Sequence, residues 1–166
     1  MVSQRDLDII LSTPASWEKL KGKSVLVTGE SGRLGIYIAQ ALAAANDRWA
    51  LGVEIFLLAR SQKKLEDAYG PLLQKPNIHT LLQDVTVPIE TTYDVDYIFH
   101  TAGLASPEDF THRPIETLWG HVQGTKNVLD LAVEKKATRV LYVSTVEIYG
   151  TWNSEEGIRE SDMGPM

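Results

Sequence analysis

The chain of 166 residues contains no cysteine. That absence excludes a disulfide framework, a thiol nucleophile and cysteine-ligated zinc, and it fits a reducing cytoplasm. Cations are in short supply as well: 16 lysines and arginines stand against 22 aspartates and glutamates, a formal net charge of −6. Nucleic acids and anionic membranes need a basic face, so neither is an expected partner. No apolar run approaches the ~20 residues that span a bilayer. Asp6 and Asp8 interrupt the first apolar segment, which therefore lacks the form of a signal peptide. Only 4 histidines occur, none paired at metal-ligand spacing, so no metal site is expected. His100, in an apolar run, reads as a packed core residue, and His79 and His112 as exposed ones. What remains, 43% apolar and 23% charged, is the composition of an ordinary globular domain.

Strand and helix patterns alternate along the chain. Residues 1–22, with "DLDIIL" and "SWEKLKG" separated by Pro14, read as an N-terminal helical extension. "SVLVTG" is a near-continuous apolar run ending in glycine, the form of a strand buried on both faces. Leu34, Ile38 and Leu42 then recur at helical spacing, with Ala41, Ala43, Ala44 and Ala45 allowing close approach to a sheet. "VEIFLLAR" is a second strand, "SQKKLEDAYGPLL" a charged helix, "IHTLLQDV" a third strand and "VDYIFHTAG" a fourth. A long helix follows with Leu118, Val122, Thr125, Leu129 and Ala132 along one stripe, and "TRVLYVST" is the fifth strand. Residues 151–166 are polar and aperiodic, a loop or truncated tail. Residues 23–150 therefore read as an α/β domain, a doubly wound parallel sheet of about five strands. Ligands of such sheets sit beyond the carboxyl ends of the strands, where every polar motif here falls.

The first strand–helix junction holds Gly29, Gly32 and Gly35. Glycines there can serve a tight turn alone, since they tolerate positive φ at little cost. Following a buried strand and opening a helix, they also suit a dinucleotide: Gly29 permits the turn, Gly32 the approach of a pyrophosphate, and Gly35 the packing of helix on strand. No Gly-Lys-Ser/Thr follows, which excludes a P-loop. The second strand ends in Arg60, where an NAD site usually carries a carboxylate for the adenosine ribose. A guanidinium can instead grip a 2′-phosphate. Arg33 within the glycine loop and Lys63 and Lys64 add positive field. NADP is therefore the expected cofactor, with NAD the alternative. S-adenosylmethionine, the ligand of a methyltransferase, needs an acid where Arg60 stands.

The "TGxxGxxG" spacing resembles the short-chain dehydrogenase/reductase superfamily, in particular its extended branch of nucleotide-sugar epimerases, dehydratases and decarboxylases. Four further segments resemble that branch in order: "QDV" at 83–85, "HTAG" at 100–103, "HVQGTKNVLDLA" at 121–132 and "VSTVEIYG" at 143–150. "ASPEDFTHRPIET" at 105–117 is similar to a segment of UDP-glucuronate decarboxylases. The resemblance implies a Rossmann fold whose coenzyme meets Gly29, Gly32, Arg33, Leu34 and Gly35 at the pyrophosphate, Asp84 and Val85 at the adenine, and Thr101, Ala102 and Gly103 along the dinucleotide. It implies Thr145 as the hydroxyl on the reacting sugar oxygen and Glu147 as acid/base or positioning carboxylate. The substrate implied is a UDP- or dTDP-linked nucleotide sugar.

Three departures qualify that chemistry. Val146 occupies the position where 4,6-dehydratases carry a proton-delivering Asp, which favours decarboxylation or epimerisation. His121 replaces the family's usual Asn. None of the 6 tyrosines has a lysine four residues on, so the family's Tyr-x-x-x-Lys base is missing from these residues. The expectation is a cofactor-binding portion that binds dinucleotide without catalysis. The alternative is a non-catalytic NADP-binding module, a sensor or assembly partner. A sheet ending at the fifth strand also leaves an edge open to homo-oligomer formation.

Overall fold

Val25, Leu26, Val27 and Thr28 are each 0% exposed, and the rest of the fold is arranged around the strand they form. The structure is a computed structural model that describes residues 2–29, 32–150 and 157–162. Its elements are α1 (Gln4–Ser12), a 3-10 turn (Trp17–Leu20), β1 (Ser24–Thr28), α2 (Arg33–Trp49), β2 (Glu54–Ala59), α3 (Gln62–Tyr69) and a second 3-10 turn (Gly70–Gln74). There follow β3 (Ile78–Leu82), β4 (Tyr97–His100), α4 (Pro107–His112), α5 (Pro114–Glu134), β5 (Arg139–Tyr142) and a third 3-10 turn (Val146–Tyr149). Among the described residues, no helix is long and apolar enough to cross a membrane.

The five strands form one parallel sheet in the order β3-β2-β1-β4-β5. The chain builds outward from β1 to β3, then returns to place β4 on the other side of β1. The loops after β1 and β4 thus leave the sheet in opposite directions, the arrangement that opens a crevice at the carboxyl ends. Successive side chains of β1 enter opposite cores. Val25 and Val27 pack with Ala39, Leu42 and Ala43 of α2, whereas Leu26 packs with Ile98 of β4 and Val128 and Leu131 of α5. Of the alanines expected to approach the sheet, Ala43 and Ala45 are buried in the core it shares with α2 and Ala44 packs half-buried against that core, whereas Ala41 is buried outside it. α1 covers the outer side of α2, tied by the Val2 N–H to Gln40 Oε1 at 2.9 Å and by the Tyr37 hydroxyl to Asp6 at 2.8 Å. At the amino end of the sheet, Asp96 accepts from the Ser24 N–H at 2.9 Å and from Lys23 at 2.8 Å.

The structure departs from the sequence reading in several places. Of the expected stripe on α5, Leu118, Val122 and Leu129 face away from the sheet, at 61%, 57% and 49% exposure, whereas Thr125 and Ala132 are half-buried, the one beside His100 and the other against the core. The face against the sheet is instead Gly124, Asn127, Val128 and Leu131, all buried. Its residues are small or polar where the helix crosses the β3 loop, so hydrophobic periodicity alone selects the wrong side. The segment after β4 contains a separate helix, α4, whose cap Ser106 accepts from the Asp109 N–H at 3.1 Å. His79 is half-buried, bonded to Glu54 at 2.6 Å and stacked on Phe56. Arg60 and residues 83–85 fall just past the ends of their strands. Of the expected tail, residues 151–156 and 163–166 lie outside the described residues, and residues 157–162 form neither helix nor strand.

The orientation of α5 gives a sharp contrast between near neighbours. Leu131→Ala is expected to cost about 2–5 kcal/mol by denaturant unfolding. Leu129→Ala is expected to change stability by less than about 0.5 kcal/mol. Equal losses would place the helix in another rotation.

Candidate functional site

Four loops meet at the carboxyl ends of β1 to β4. The first begins with Gly29 at φ +69°, a conformation that side chains rarely adopt. A Cβ there would lie 2.5 Å from the Ala102 N and 2.6 Å from the Thr101 O. Both the backbone angle and the contact therefore require glycine. The Gly32 N–H returns to the Gly29 O at 2.9 Å, and Gly32 is the N-cap of α2. A glycine cap offers no side chain to the first amides of the 17-residue helix, and no acidic residue sits in its first turn. Such a terminus favours an anion.

The fourth loop is stitched to the first. Thr101 donates its hydroxyl to the Thr28 O at 2.6 Å, and the Ala102 N–H donates to the Thr28 hydroxyl at 3.3 Å. That hydroxyl also shares a 2.7 Å hydrogen bond with His100 Nδ1, while Nε2 lies 3.3 Å from the Thr125 hydroxyl. Burial, and then the neighbouring His121, lower the His100 pKa to about 4, so the ring is neutral at ordinary pH. His121 hydrogen-bonds the Leu104 O at 3.0 Å and its ring fills the space beside Gly103, where a Cβ would collide with it.

The second and third loops form the opposite wall. Arg60 leaves β2, and Ser61 caps α3 by accepting from the Lys64 N–H at 3.4 Å. Asp84 accepts from the Thr86 N–H and the Thr86 hydroxyl, both at 2.9 Å, through Oδ1. Its Oδ2 faces Arg60 Nη1 at 3.6 Å. Burial pushes the Asp84 pKa up, but the two Thr86 bonds and then Arg60 outweigh it, and the carboxyl lies below its usual range. Asn127 of α5 donates to the Val85 O at 2.8 Å, and Gly124 passes so close to Val85 that a Cβ would sit 3.0 Å from it.

These loops enclose a cavity of about 800 Å³. Of the residues singled out from the sequence, Gly29, Gly32, Arg60, Asp84, Val85, Thr101, Ala102 and Gly103 line it together. Arg33, Leu34 and Gly35 form the first turn of α2 outside the lining; Gly35 is buried and the other two are exposed. Thr145 and Glu147 are exposed on the 3-10 turn after β5, also outside it, the Thr145 hydroxyl accepting from the Glu147 N–H at 3.3 Å. Lys64, expected to add positive field, lines the cavity as well, whereas sequence reasoning did not single out Ser61 and Thr86 as lining residues, nor Arg113, Glu116 and Trp119, which extend the cavity along the start of α5. It also missed Asn127, whose partner, the Val85 carbonyl, lies 42 residues away in the chain.

Gly29→Ala is expected to lower stability by about 1–3 kcal/mol, from the strained φ and the contact with residues 101 and 102. An unchanged unfolding midpoint would contradict that. His100 sets a pH dependence. The unfolded ring takes a proton below about pH 6.5, whereas the folded one refuses it until about pH 4. Stability is therefore full above pH 6.5 and falls as pH drops toward 4, by up to about 3 kcal/mol. His100→Gln should flatten that interval of the stability–pH curve; an equally steep variant would contradict the assignment.

Comparison with known proteins agrees with this geometry. The family model described as the NAD dependent epimerase/dehydratase family matches residues 25–166. UDP-glucuronic acid decarboxylase 2 of Arabidopsis thaliana is 34% identical over 132 residues, 80% of this chain and 28% of the relative. The chain thus spans under a third of that relative's length. Among solved structures, the epimerase Mth375 of Methanothermobacter thermautotrophicus superimposes with a TM-score of 0.70 at 23% identity, covering 89% of this chain and 43% of that one. UDP-glucose 4-epimerase of Bifidobacterium longum, solved in complex with NAD+ and UDP, gives 0.69 at 21% identity, covering 86% and 43%. A central glycine turn, a five-stranded parallel sheet and a sequence match over most of the chain converge: the chain belongs to the NAD-dependent epimerase/dehydratase family.

Proposed function

We propose that these residues form the dinucleotide-binding portion of a nucleotide-sugar epimerase or decarboxylase, with NADP preferred over NAD. The observation that carries this reading is the meeting of the glycine turn, Arg60, Asp84 and residues 101–103 around one cavity at the carboxyl ends of the strands. The fit is chemical as well as spatial. Gly29 and Gly32 leave bare backbone where a side chain would stand, and the amides of Arg33, Leu34 and Gly35 open the helix toward an anion. Asp84, with one oxygen held by Thr86, is set to accept from an adenine amine, with Val85 beside it. Thr101, Ala102 and Gly103 line the path away from the adenine end.

Coenzyme preference is read from the second loop. Arg60, Ser61 and Lys64 line the cavity side by side at the start of α3. A 2′-phosphate there meets a guanidinium and an ammonium, where NAD-selective sites carry an acid. The substrate class, a UDP-linked sugar, is carried over from the relative's name. The bound coenzyme supplies reversible hydride transfer at a sugar carbon. Thr145 would hold the sugar oxygen by its hydroxyl, and Glu147 would hold or move a proton beside it. In the described structure both stand outside the cavity. That position favours a second reading, a module that binds the coenzyme without catalysis.

Calorimetric titration tests the coenzyme. NADP is expected to bind more tightly than NAD, and Arg60→Ala to weaken NADP about tenfold or more while leaving NAD little changed, because a charge-assisted contact is lost. Tighter NAD binding, or no effect of the substitution on NADP, contradicts the preference. Mixed with coenzyme and UDP-glucuronate or UDP-glucose, the 166 residues are expected to give no turnover. Product formation by the purified chain would overturn the non-catalytic part of the reading.

A further inference from the structure

The Arg60 guanidinium that suits a 2′-phosphate already faces an anion of the protein. Asp84 Oδ2 stands 3.6 Å from Arg60 Nη1 across the mouth of the β2 and β3 loops. The register Ala59↔Leu82, continued by the Gln83 N–H to the Ala59 O at 2.9 Å, keeps those loops side by side. Asp84 has little freedom to withdraw, because Thr86 fixes its other oxygen through two bonds of 2.9 Å. We propose that Asp84 is a specificity-determining residue, whose carboxylate holds Arg60 and opposes a coenzyme 2′-phosphate, drawing the affinities for NADP and NAD closer together.

The inference rests on the cavity being a nicotinamide-dinucleotide site, and deepens it by naming what limits the choice between the two coenzymes. The physics is a competition. A dianionic phosphate arriving at Arg60 must share or displace the Asp84 contact, and it lies within a few ångströms of a like charge. NAD carries a hydroxyl there and meets neither cost. Any contact of Asp84 with the adenine is common to both coenzymes, so it cancels from the ratio of their affinities. The pair is partly exposed, with side chains 64% and 38% accessible, so the effect is one of tuning. Arg60 supplies the attraction and Asp84 sets how much of it is free.

The test is the ratio of dissociation constants, Kd for NAD over Kd for NADP, measured by calorimetry at low ionic strength on the whole chain. Asp84→Asn preserves size and keeps an acceptor for Thr86 while removing the charge. It is expected to raise the ratio about fivefold. In the Arg60→Ala background the same substitution should raise it by less than about twofold, since the partner through which Asp84 acts is gone. An unchanged or lowered ratio, with both coenzymes still bound, overturns the inference and leaves the site intact. A rise of equal size in both backgrounds overturns the pairing as its cause. Binding of neither coenzyme to the unsubstituted chain removes the site reading and this inference with it.

Discussion

Beyond Thr28 the chain must reverse against the backbone of residues 101 and 102, with no room for even one methyl group between them. Much else follows from that contact. It holds the loops after β1 and β4 together where the two strands part, so the crevice at the switch between them begins at bare backbone. It is sustained from inside the protein by Thr28, whose carbonyl accepts from Thr101 and whose hydroxyl joins Ala102 to the neutral ring of His100. Burial of β1 on both faces keeps that frame rigid, because its side chains are locked into two cores at once. The site is thus an extension of the central strand.

Electrostatics adds selectivity to a frame whose net charge of −6 is unfavourable to a polyanion. Attraction for a phosphorylated ligand would have to be local, and the amino end of α2 and the cations that follow β2 stand together at the carboxyl edge of the sheet. Asp84 lies among these cations, and Thr86 and Arg60 together hold it in its charged form. α5 supports this wall from behind, through Asn127 on the Val85 carbonyl and the near approach of Gly124. Residues far apart in sequence thus fix the loop after β3 from behind.

What could be read from the sequence was what local pattern encodes. The apolar runs of β1 and β2 and the glycine turn identify a parallel α/β sheet and its ligand edge, because doubly buried strands and positive φ leave strong compositional marks. α5 resisted such a reading. Its sheet-facing side carries Gly124 and Asn127, selected by close approach and by a carbonyl needing a donor, while Leu118, Val122 and Leu129 face outward. The pairing of Arg60 with Asp84 was hidden for another reason. Each residue was read as a separate coenzyme contact, but their opposition depends on strand register, which no single segment contains. Ser106 before Pro107 could have announced α4 as a cap followed by a proline at the first helical position.

The central claim is that the backbone around the first crossover, joined by the loops after β2, β3 and β4, receives a nicotinamide coenzyme. Titrating NADP into the isotopically labelled chain while following its backbone amide resonances tests it most directly. The account predicts saturable shifts concentrated at Gly29, Gly32, Arg60, Asp84, Thr101 and Ala102, with the amino end of the sheet around Asp96 undisturbed. Resonances that stay in place, or that move only around β5 and the outer face of α5, would contradict it.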